Sequence, residues 1–182
     1  MALIRLIRHG KAAAGWGDDP DPGLNELGRA QAQTMAAALA PLGPLPLLVS
    51  PLKRTRETAL PLERHWHRPA LVDPAVAEIL SPSPDLAARR QWLDGVMARR
   101  WGEVEAGLLD WRQAVLDRLL ALGEDTVVVS HFIAINVAVG QATADDRVVC
   151  FRPDNCSVTL LEATTGRLRL LDLGHEAQTE VR

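Results

Sequence analysis

Short hydrophobic runs alternate along this chain with longer segments whose apolar residues recur at helical spacing. Runs of this length predict β-strands, and their alternation with helical segments predicts an α/β domain with a mostly parallel sheet. We expect a three-layer α/β/α sandwich whose central sheet carries an antiparallel edge strand. The predicted strands are Ala2–Ile7, Leu47–Val49, Ala70–Val72, Thr126–Val129, Ser157–Leu161 and Arg167–Leu171.

Two parts of this pattern describe the sheet further. Residues 127–129 are three consecutive valines, which suit a strand that is covered on both faces. The last two strands are separated only by the turn-rich segment Glu162–Gly166. We therefore expect them to form an antiparallel hairpin at or near the edge of the sheet.

Helical segments fill the gaps between the predicted strands. Asn25 is a suitable N-cap for the first helix, and Ser50 with Pro51 resembles an N-cap and first-turn proline for the second. Two later segments are amphipathic, and a further helix is expected after His131. The predicted boundaries are Asn25–Leu39, Ser50–Arg64, Asp85–Arg100 and Leu108–Leu122.

The composition is that of an ordinary globular domain, with 182 residues of which 47% are hydrophobic and 24% charged. We expect one domain over residues 1–173 and a polar tail, of a kind that is often mobile, over residues 174–182. The formal net charge of −3 argues against a broad surface for polyanions. No nucleic-acid partner is therefore expected.

The sequence also bears on where the protein works. No apolar run approaches the roughly 18 residues that a membrane-spanning helix needs, and the first strand begins at Ala2, which leaves no room for a signal peptide. Cys150 and Cys156 form neither a CxxC pair nor a disulfide framework. These features predict a cytoplasmic protein with free thiols and no membrane partner.

The most chemically suggestive residues directly follow the first predicted strand. Arg8 provides a planar, permanently charged fork suited to phosphate, and His9 provides a nitrogen that can attack phosphorus. Gly10 allows a tight turn or the close approach of an anion. Taken alone, these three residues also suit an ordinary strand end.

Polar residues follow the other parallel strands as well. Ser50–Arg56 follows the second, Glu78 lies shortly after the third, and Ser130 and His131 follow the fourth. Ligands of open α/β sheets bind beyond the carboxyl ends of the strands, so we expect these segments to meet. Arginines and histidines together suit a phosphate dianion, whereas the arginines would repel a metal cation. We expect no metal and no cofactor.

Four segments together resemble the histidine phosphatase superfamily, which has the phosphoglycerate mutase-like fold. They are Leu6–Gly10, Leu24–Ala32, Ser50–Ala59 and Val127–His131, and they occur in the family's order. The resemblance covers most of residues 3–160. One such motif would be weak, whereas four in register are specific.

The resemblance implies a role for each matching residue. His9 would be the nucleophile that becomes phosphohistidine, and Arg8, Arg54 and His131 would hold the transferring phosphoryl group. Asn25 stands where the family often has threonine, and it would donate one further hydrogen bond to the phosphate.

The resemblance implies that Glu78 is the general acid, but the chain departs from the family pattern directly after it, where residues 79–84 replace the common continuation. Asp85 or Glu57 could serve instead, or the acid could be absent. Two further residues depart from the pattern. Lys11 stands where many members have an acidic or amide residue, and Phe132 replaces the glycine that follows the family's second histidine.

We predict a phosphatase that hydrolyses phosphate monoesters on a small molecule or a phosphoprotein. A cofactor-primed mutase is the nearest alternative, although mutase relatives are typically longer. A non-catalytic phosphate-binding regulatory module is an alternative of another class, favoured by the irregular segment after Glu78. Specificity is expected in that segment and in the loop Ala12–Gly23. Arg89 and Arg90 are most simply a solvated helix face, although they could meet an anionic substrate, and Asn155 is expected only to turn the chain.

Overall fold

A central mixed sheet organises the protein in the computed structural model, which describes residues 1–15 and 18–177. The described residues form six strands in the order β3-β2-β4-β1-β5-β6. Their bounds are β1 Ala2–Arg8, β2 Leu47–Val49, β3 Leu71–Val72, β4 Thr126–Ser130, β5 Val158–Thr164 and β6 Arg167–Asp172. Residues 178–182 of the predicted tail, and residues 16 and 17 of the predicted specificity loop, lie outside the described residues.

The predicted sheet topology is confirmed. Strands β1 to β4 run parallel to one another, β5 pairs antiparallel with β1, and β6 pairs antiparallel with β5. The hairpin of β5 and β6 therefore forms one edge of the sheet, as the short link between them indicated.

Helices cover both faces of the sheet, which confirms the α/β/α class. The helices of the described residues are α1 Glu26–Leu39, α2 Lys53–Trp66, α3 Leu86–Met97, α4 Ala106–Leu120 and α5 Phe132–Thr143. Alternate residues of β4 enter different cores: Val127 and Val129 pack on the side of α1 and α2, whereas Val128 packs on the side of α4 and α5. All five residues of β4 are buried, as expected for a strand covered on both faces.

The predicted start of the second helix is wrong. The helix begins at Lys53, and its N-cap is Leu52 rather than Ser50. The reason is tertiary, because Asp21 accepts a hydrogen bond from the Lys53 amide at 2.9 Å. Ser50 lies outside the helix, and its Oγ accepts from the Leu52 amide at 3.4 Å and contacts His131 Nε2.

The loop after β1 is packed tightly against the start of α1. A Cβ atom on Gly10 would lie 2.6 Å from the carbonyl oxygen of Gly28, and a Cβ on Gly28 would overlap the carbonyl of Lys11. Both glycines are therefore required by close backbone approach. This contact fixes the position of the segment that follows β1.

None of the helices in the described part of the chain is long and apolar enough to cross a bilayer.

Candidate active site

A cavity of about 440 Å³ opens at the carboxyl ends of the parallel strands. Arg8 lies opposite Ser130 in the register of β1 and β4, so the residues that follow these two strands are neighbours. Arg8, His9, Asn25, Arg54 and Glu78 all line the cavity. The structure therefore brings together the residues that the sequence placed at one edge of the sheet.

Hydrogen bonds fix the His9 ring on both sides. Nδ1 lies 2.8 Å from the carbonyl oxygen of Gly10, so Nδ1 carries the proton and donates it. Arg54 Nε donates to Nε2 at 3.2 Å, which shows that the lone pair is on Nε2. Burial, followed by the charges of Arg54 and Arg8, holds the pKa of His9 well below its usual value of 6.5. The ring is therefore neutral at pH 7, and its unprotonated nitrogen is Nε2, which accepts from Arg54.

The two arginines beside His9 are both buried. Arg8 donates from Nη1 to the carbonyl oxygen of Pro153 at 2.8 Å, and its guanidinium lies 5.2 Å from the centre of the Phe132 ring. Burial lowers the pKa of Arg8 to about 10, so the side chain remains a cation at neutral pH. Phe132, which stands where the family pattern has glycine, thus makes a cation–π contact that stabilises Arg8.

The His131 side chain is completely buried and is not part of the cavity wall. Its ring centre lies 5.3 Å from that of His9, in an edge-to-face arrangement. Nε2 lies 2.8 Å from Ser50 Oγ, whereas Nδ1 has no hydrogen-bond partner among the described residues. Burial, followed by the charges of Arg54, His9 and Arg8, holds the pKa of His131 well below 6.5.

Glu78 is buried at the wall of the cavity, with 2% of its surface exposed. Its Oε2 accepts from the Ile133 amide at 3.0 Å, and its Oε1 accepts from its neighbour Ile79 at 3.2 Å. Burial raises the pKa of Glu78, although these two hydrogen bonds and the charges of Arg54 and Arg8 act in the opposite direction. The net effect is a pKa above the usual value of 4.5.

The two alternative carboxyl groups do not line this cavity. Asp85 caps α3 by accepting from the Ala88 amide at 2.7 Å, and Glu57 accepts from the Leu24 amide at 2.7 Å. Both carboxylates thus accept hydrogen bonds from backbone amides. Among these three candidates, Glu78 is the one placed to reach a bound ligand.

Asn25 acts as the N-cap of α1, as the sequence predicted. Its Oδ1 accepts from the Gly28 amide at 2.8 Å, so only its Nδ2 group could donate to a ligand. The contact with phosphate that the resemblance implies stays a prediction.

The expectation for Asn155 is incomplete, because its side chain also contacts the backbone of His9. Asn155 Nδ2 donates to the carbonyl oxygen of His9 at 2.8 Å. Thr58 supports the next residue, since its Oγ1 accepts from the Gly10 amide at 3.0 Å. Asn155 is separated from His9 by 146 residues, and no local sequence signal could have identified this contact.

Arg90 is exposed, as predicted for a solvated helix face, whereas Arg89 is half-buried. Both residues line the cavity, together with Leu93, Asp94 and Met97 of the same helix, α3. One side of α3 thus forms a wall of the site. Within the described residues, no group of three or more His, Cys, Asp or Glu side chains is placed to hold a metal ion.

Solved structures show the same fold over the whole chain. A protein described as a putative alpha-ribazole-5'-P phosphatase from Escherichia coli str. K-12 superposes with a TM-score of 0.76 and 20% identity, covering 99% of this chain and 100% of the other. A mycobacterial glucosyl-3-phosphoglycerate phosphatase in complex with VO3 gives 0.72 and 22%, covering 96% and 99% of the two chains. A mutant phosphoserine phosphatase from Entamoeba histolytica, in complex with phosphoserine, gives 0.72 and 18%, covering 96% and 97%.

No curated protein sequence matches the chain. A family model described as the histidine phosphatase superfamily (branch 1) matches residues 4–176. This match spans nearly the whole chain, and the chain therefore belongs to the histidine phosphatase superfamily.

Proposed function

We propose that this protein is a metal-independent phosphatase that hydrolyses phosphate monoesters through a covalent phosphohistidine on His9. The observation that carries the proposal is the state of His9, whose Nδ1 is fixed by Gly10 and whose neutral Nε2 lies beside Arg54. A neutral ring nitrogen among buried cations suits attack on a phosphate dianion. The structural neighbours named as phosphatases support this reaction class.

Binding of the phosphoryl group would use the cations around His9. Arg8 and Arg54 supply guanidinium donors, His131 supplies Nδ1, and Asn25 supplies Nδ2. Ser50 Oγ lies 2.8 Å from His131 Nε2, and we take the tautomer in which the Ser50 hydroxyl donates to Nε2. In this tautomer Nδ1 of His131 carries the ring proton. Because the side chain is completely buried, its donation to a phosphoryl oxygen requires that the bound phosphate displace the residues that cover it.

The first chemical step forms a bond from His9 Nε2 to phosphorus and breaks the bond from phosphorus to the ester oxygen. Protonated Glu78 gives its proton to the departing oxygen, so an alcohol leaves. In the second step Glu78, now a carboxylate, takes a proton from water as the water oxygen attacks phosphorus. The bond to Nε2 breaks, inorganic phosphate forms, and both side chains return to their starting states.

The experiment is hydrolysis of p-nitrophenyl phosphate in the presence of a chelator, with His9→Asn as the variant. The Asn side chain can still donate to the Gly10 carbonyl, but it offers no nucleophilic nitrogen. We expect activity to fall at least about a thousandfold. His67→Asn is the matched control, because His67 has the left-handed φ of 49° that asparagine tolerates.

Covalent chemistry is tested by rapid quenching with ³²P-labelled substrate. We expect acid-labile label on the wild-type protein and none on His9→Asn. Turnover that requires an added metal, or label that persists on His9→Asn, would overturn the proposal. An inert wild type that binds vanadate would support the regulatory module, and faster transfer to a second hydroxyl than to water would support the mutase.

A further inference from the structure

Arg8 is a buried cation that pairs with no carboxylate among the described residues. Its Nη1 donates to the neutral carbonyl of Pro153, and no carboxylate oxygen in the described part of the chain lies within 4.0 Å of its guanidinium. Asp154 and Glu78 act on Arg8 through their charges, yet burial still lowers the pKa of Arg8 to about 10. A buried cation ordinarily needs a paired anion to offset its lost hydration. The charge of Arg8 therefore depends on another contact.

The ring of Phe132 provides this contact. Its centre lies 5.2 Å from Cζ of Arg8, and 5% of the residue is exposed. The face of an aromatic ring attracts a cation, and most strongly where water is excluded from both groups. Phe132 begins α5 and belongs to the apolar core that includes Ile133 and Val148. Close packing in that core keeps the ring in place against Arg8.

An aromatic ring and a carboxylate would have different effects on a ligand of Arg8. A carboxylate would neutralise the guanidinium and occupy its N–H groups, so an incoming phosphate would have to displace it. A ring has no net charge and stabilises the cation through its face. The Nε group of Arg8 accordingly has no hydrogen-bond partner among the described residues. Both the charge and this donor remain for the ligand.

We propose that Phe132 is a positioning residue for phosphate, whose ring holds Arg8 in place beside His9 without neutralising it. Phe132 and Arg8 both line the cavity, so the contact lies where the phosphoryl group would bind. Glycine, which the family pattern has at this position, offers no ring for this contact. The inference rests on the proposed function, in which Arg8 binds the phosphoryl group.

The test changes the electron density of the ring and leaves its shape nearly unaltered. Phe132 is replaced by phenylalanine analogues with one, two or three ring fluorines, which withdraw electrons from the face. Affinity for orthovanadate is measured by equilibrium dialysis. A weaker contact lowers the fraction of Arg8 that is oriented for the anion, so the Kd should rise with each fluorine. We expect a loss of about tenfold or more with three fluorines, within the roughly thirtyfold that a buried contact of about 2 kcal/mol represents.

Phe151 provides the matched control, because the chain has two phenylalanines and this is the other one. It is 7% exposed and packs in the same core as Phe132, but it does not line the cavity. The same analogues at Phe151 disturb the core in a similar way, and the vanadate Kd should stay within about twofold. Phe132→Leu keeps an apolar side chain without a ring, and its affinity should fall at least as far as that of the trifluoro analogue.

A vanadate Kd that stays constant along the Phe132 series would overturn the inference, and so would an equal rise in the Phe151 series. Continued hydrolysis of p-nitrophenyl phosphate would leave the phosphatase function standing in either case. An inert wild type whose vanadate affinity falls along the Phe132 series would support the inference and overturn the phosphatase function. A wild type that neither binds vanadate nor hydrolyses p-nitrophenyl phosphate would overturn both.

Discussion

Replacing Glu78 by glutamine tests whether Glu78 is the general acid, since the segment that follows it departs from the family pattern. Both carboxylate oxygens of Glu78 accept backbone hydrogen bonds, from Ile133 at 3.0 Å and Ile79 at 3.2 Å. Glutamine has one carbonyl oxygen, so one of these amides loses its acceptor, at a cost of about 1–3 kcal/mol in the free energy of unfolding. Removal of a buried carboxyl offsets part of this cost, and we expect Glu78→Gln to fold.

The effect on activity depends on the leaving group. General acid catalysis typically contributes about 100- to 10,000-fold, so kcat/KM for an alkyl phosphate should fall by this factor, which corresponds to about 2.7–5.5 kcal/mol. The p-nitrophenolate ion leaves without a proton, and its kcat/KM should fall less than about tenfold. kcat/KM is the informative quantity, because it excludes the later attack of water on phosphohistidine.

Steady-state kinetics on both substrates provide the assay, with Glu57→Gln and Asp85→Asn as controls. Each control removes an acid but keeps a side-chain oxygen for the amide that it holds. Both should retain activity within about twofold. Equal slowing of the two substrates by Glu78→Gln would refute the acid assignment, and a selective loss in either control would move the role to that residue.

The pH dependence of activity provides a second, independent test of Glu78 as the general acid. Activity on the alkyl phosphate needs Glu78 protonated, so it should fall as pH rises through the pKa of Glu78, which burial raises above 4.5. The opposite limb comes from His9, which must be neutral and whose pKa lies well below 6.5. Glu78→Gln should lose the falling limb and keep the rising one. Wild type and Glu78→Gln are compared on the same substrate, so ionisation of the substrate phosphate affects both pH profiles equally.

Further predictions concern the supports of the site. Asn155→Ala removes the hydrogen bond to the His9 carbonyl, and kcat should fall roughly tenfold in steady-state assays, since about 1.4 kcal/mol of positioning is lost; an unchanged kcat would contradict a positioning role. Gly28→Ala should lower the free energy of unfolding in urea by about 1–3 kcal/mol or more through overlap with the Lys11 carbonyl, whereas Gly107→Ala, in a helix where a Cβ meets nothing within 4 Å, should raise it by up to about 1 kcal/mol. The depressed pKa of His9 favours the folded state above pH 6.5, and this stability is lost as pH falls from 6.5 toward the folded pKa. The slope of unfolding free energy against pH in this range should therefore be shallower in His9→Asn by up to about 1.4 kcal/mol per pH unit, and equal slopes would refute the shifted pKa.

The sequence was sufficient to place the main site residues at one edge of the sheet, for a physical reason. Arg8 and His9 lie at the end of β1 and His131 directly follows β4, and the carboxyl ends of parallel strands lie at the same edge of the sheet. Burial of both faces of the sheet could be predicted in the same way, from the valines of β4. The chemical roles of Arg8, His9 and His131 are proposals that the assays above address.

The remaining features depend on contacts between distant segments. Ser50 has the chemistry of an N-cap, and its Oγ accepts from the Leu52 amide, but the helix begins only at Lys53. The Lys53 amide is satisfied by Asp21, 32 residues earlier in the chain, and Ser50 also contacts His131. The contact of Asn155 with His9 spans 146 residues. The orientation of α3, and with it the position of Arg89, follows from packing that local periodicity does not encode. Propensity and periodicity describe neighbours along the chain, and these contacts are not between neighbours.

The central position of β1 has a consequence for synthesis of the protein. Both neighbours of β1 come late in the chain, since β4 begins at Thr126 and β5 at Val158. At about 5–20 residues per second, a nascent chain holds this apolar strand without a partner for roughly 6 to 24 seconds while the ribosome makes the next 120 or so residues. During translation β1 is therefore a segment on which chaperones can act and at which aggregation can begin.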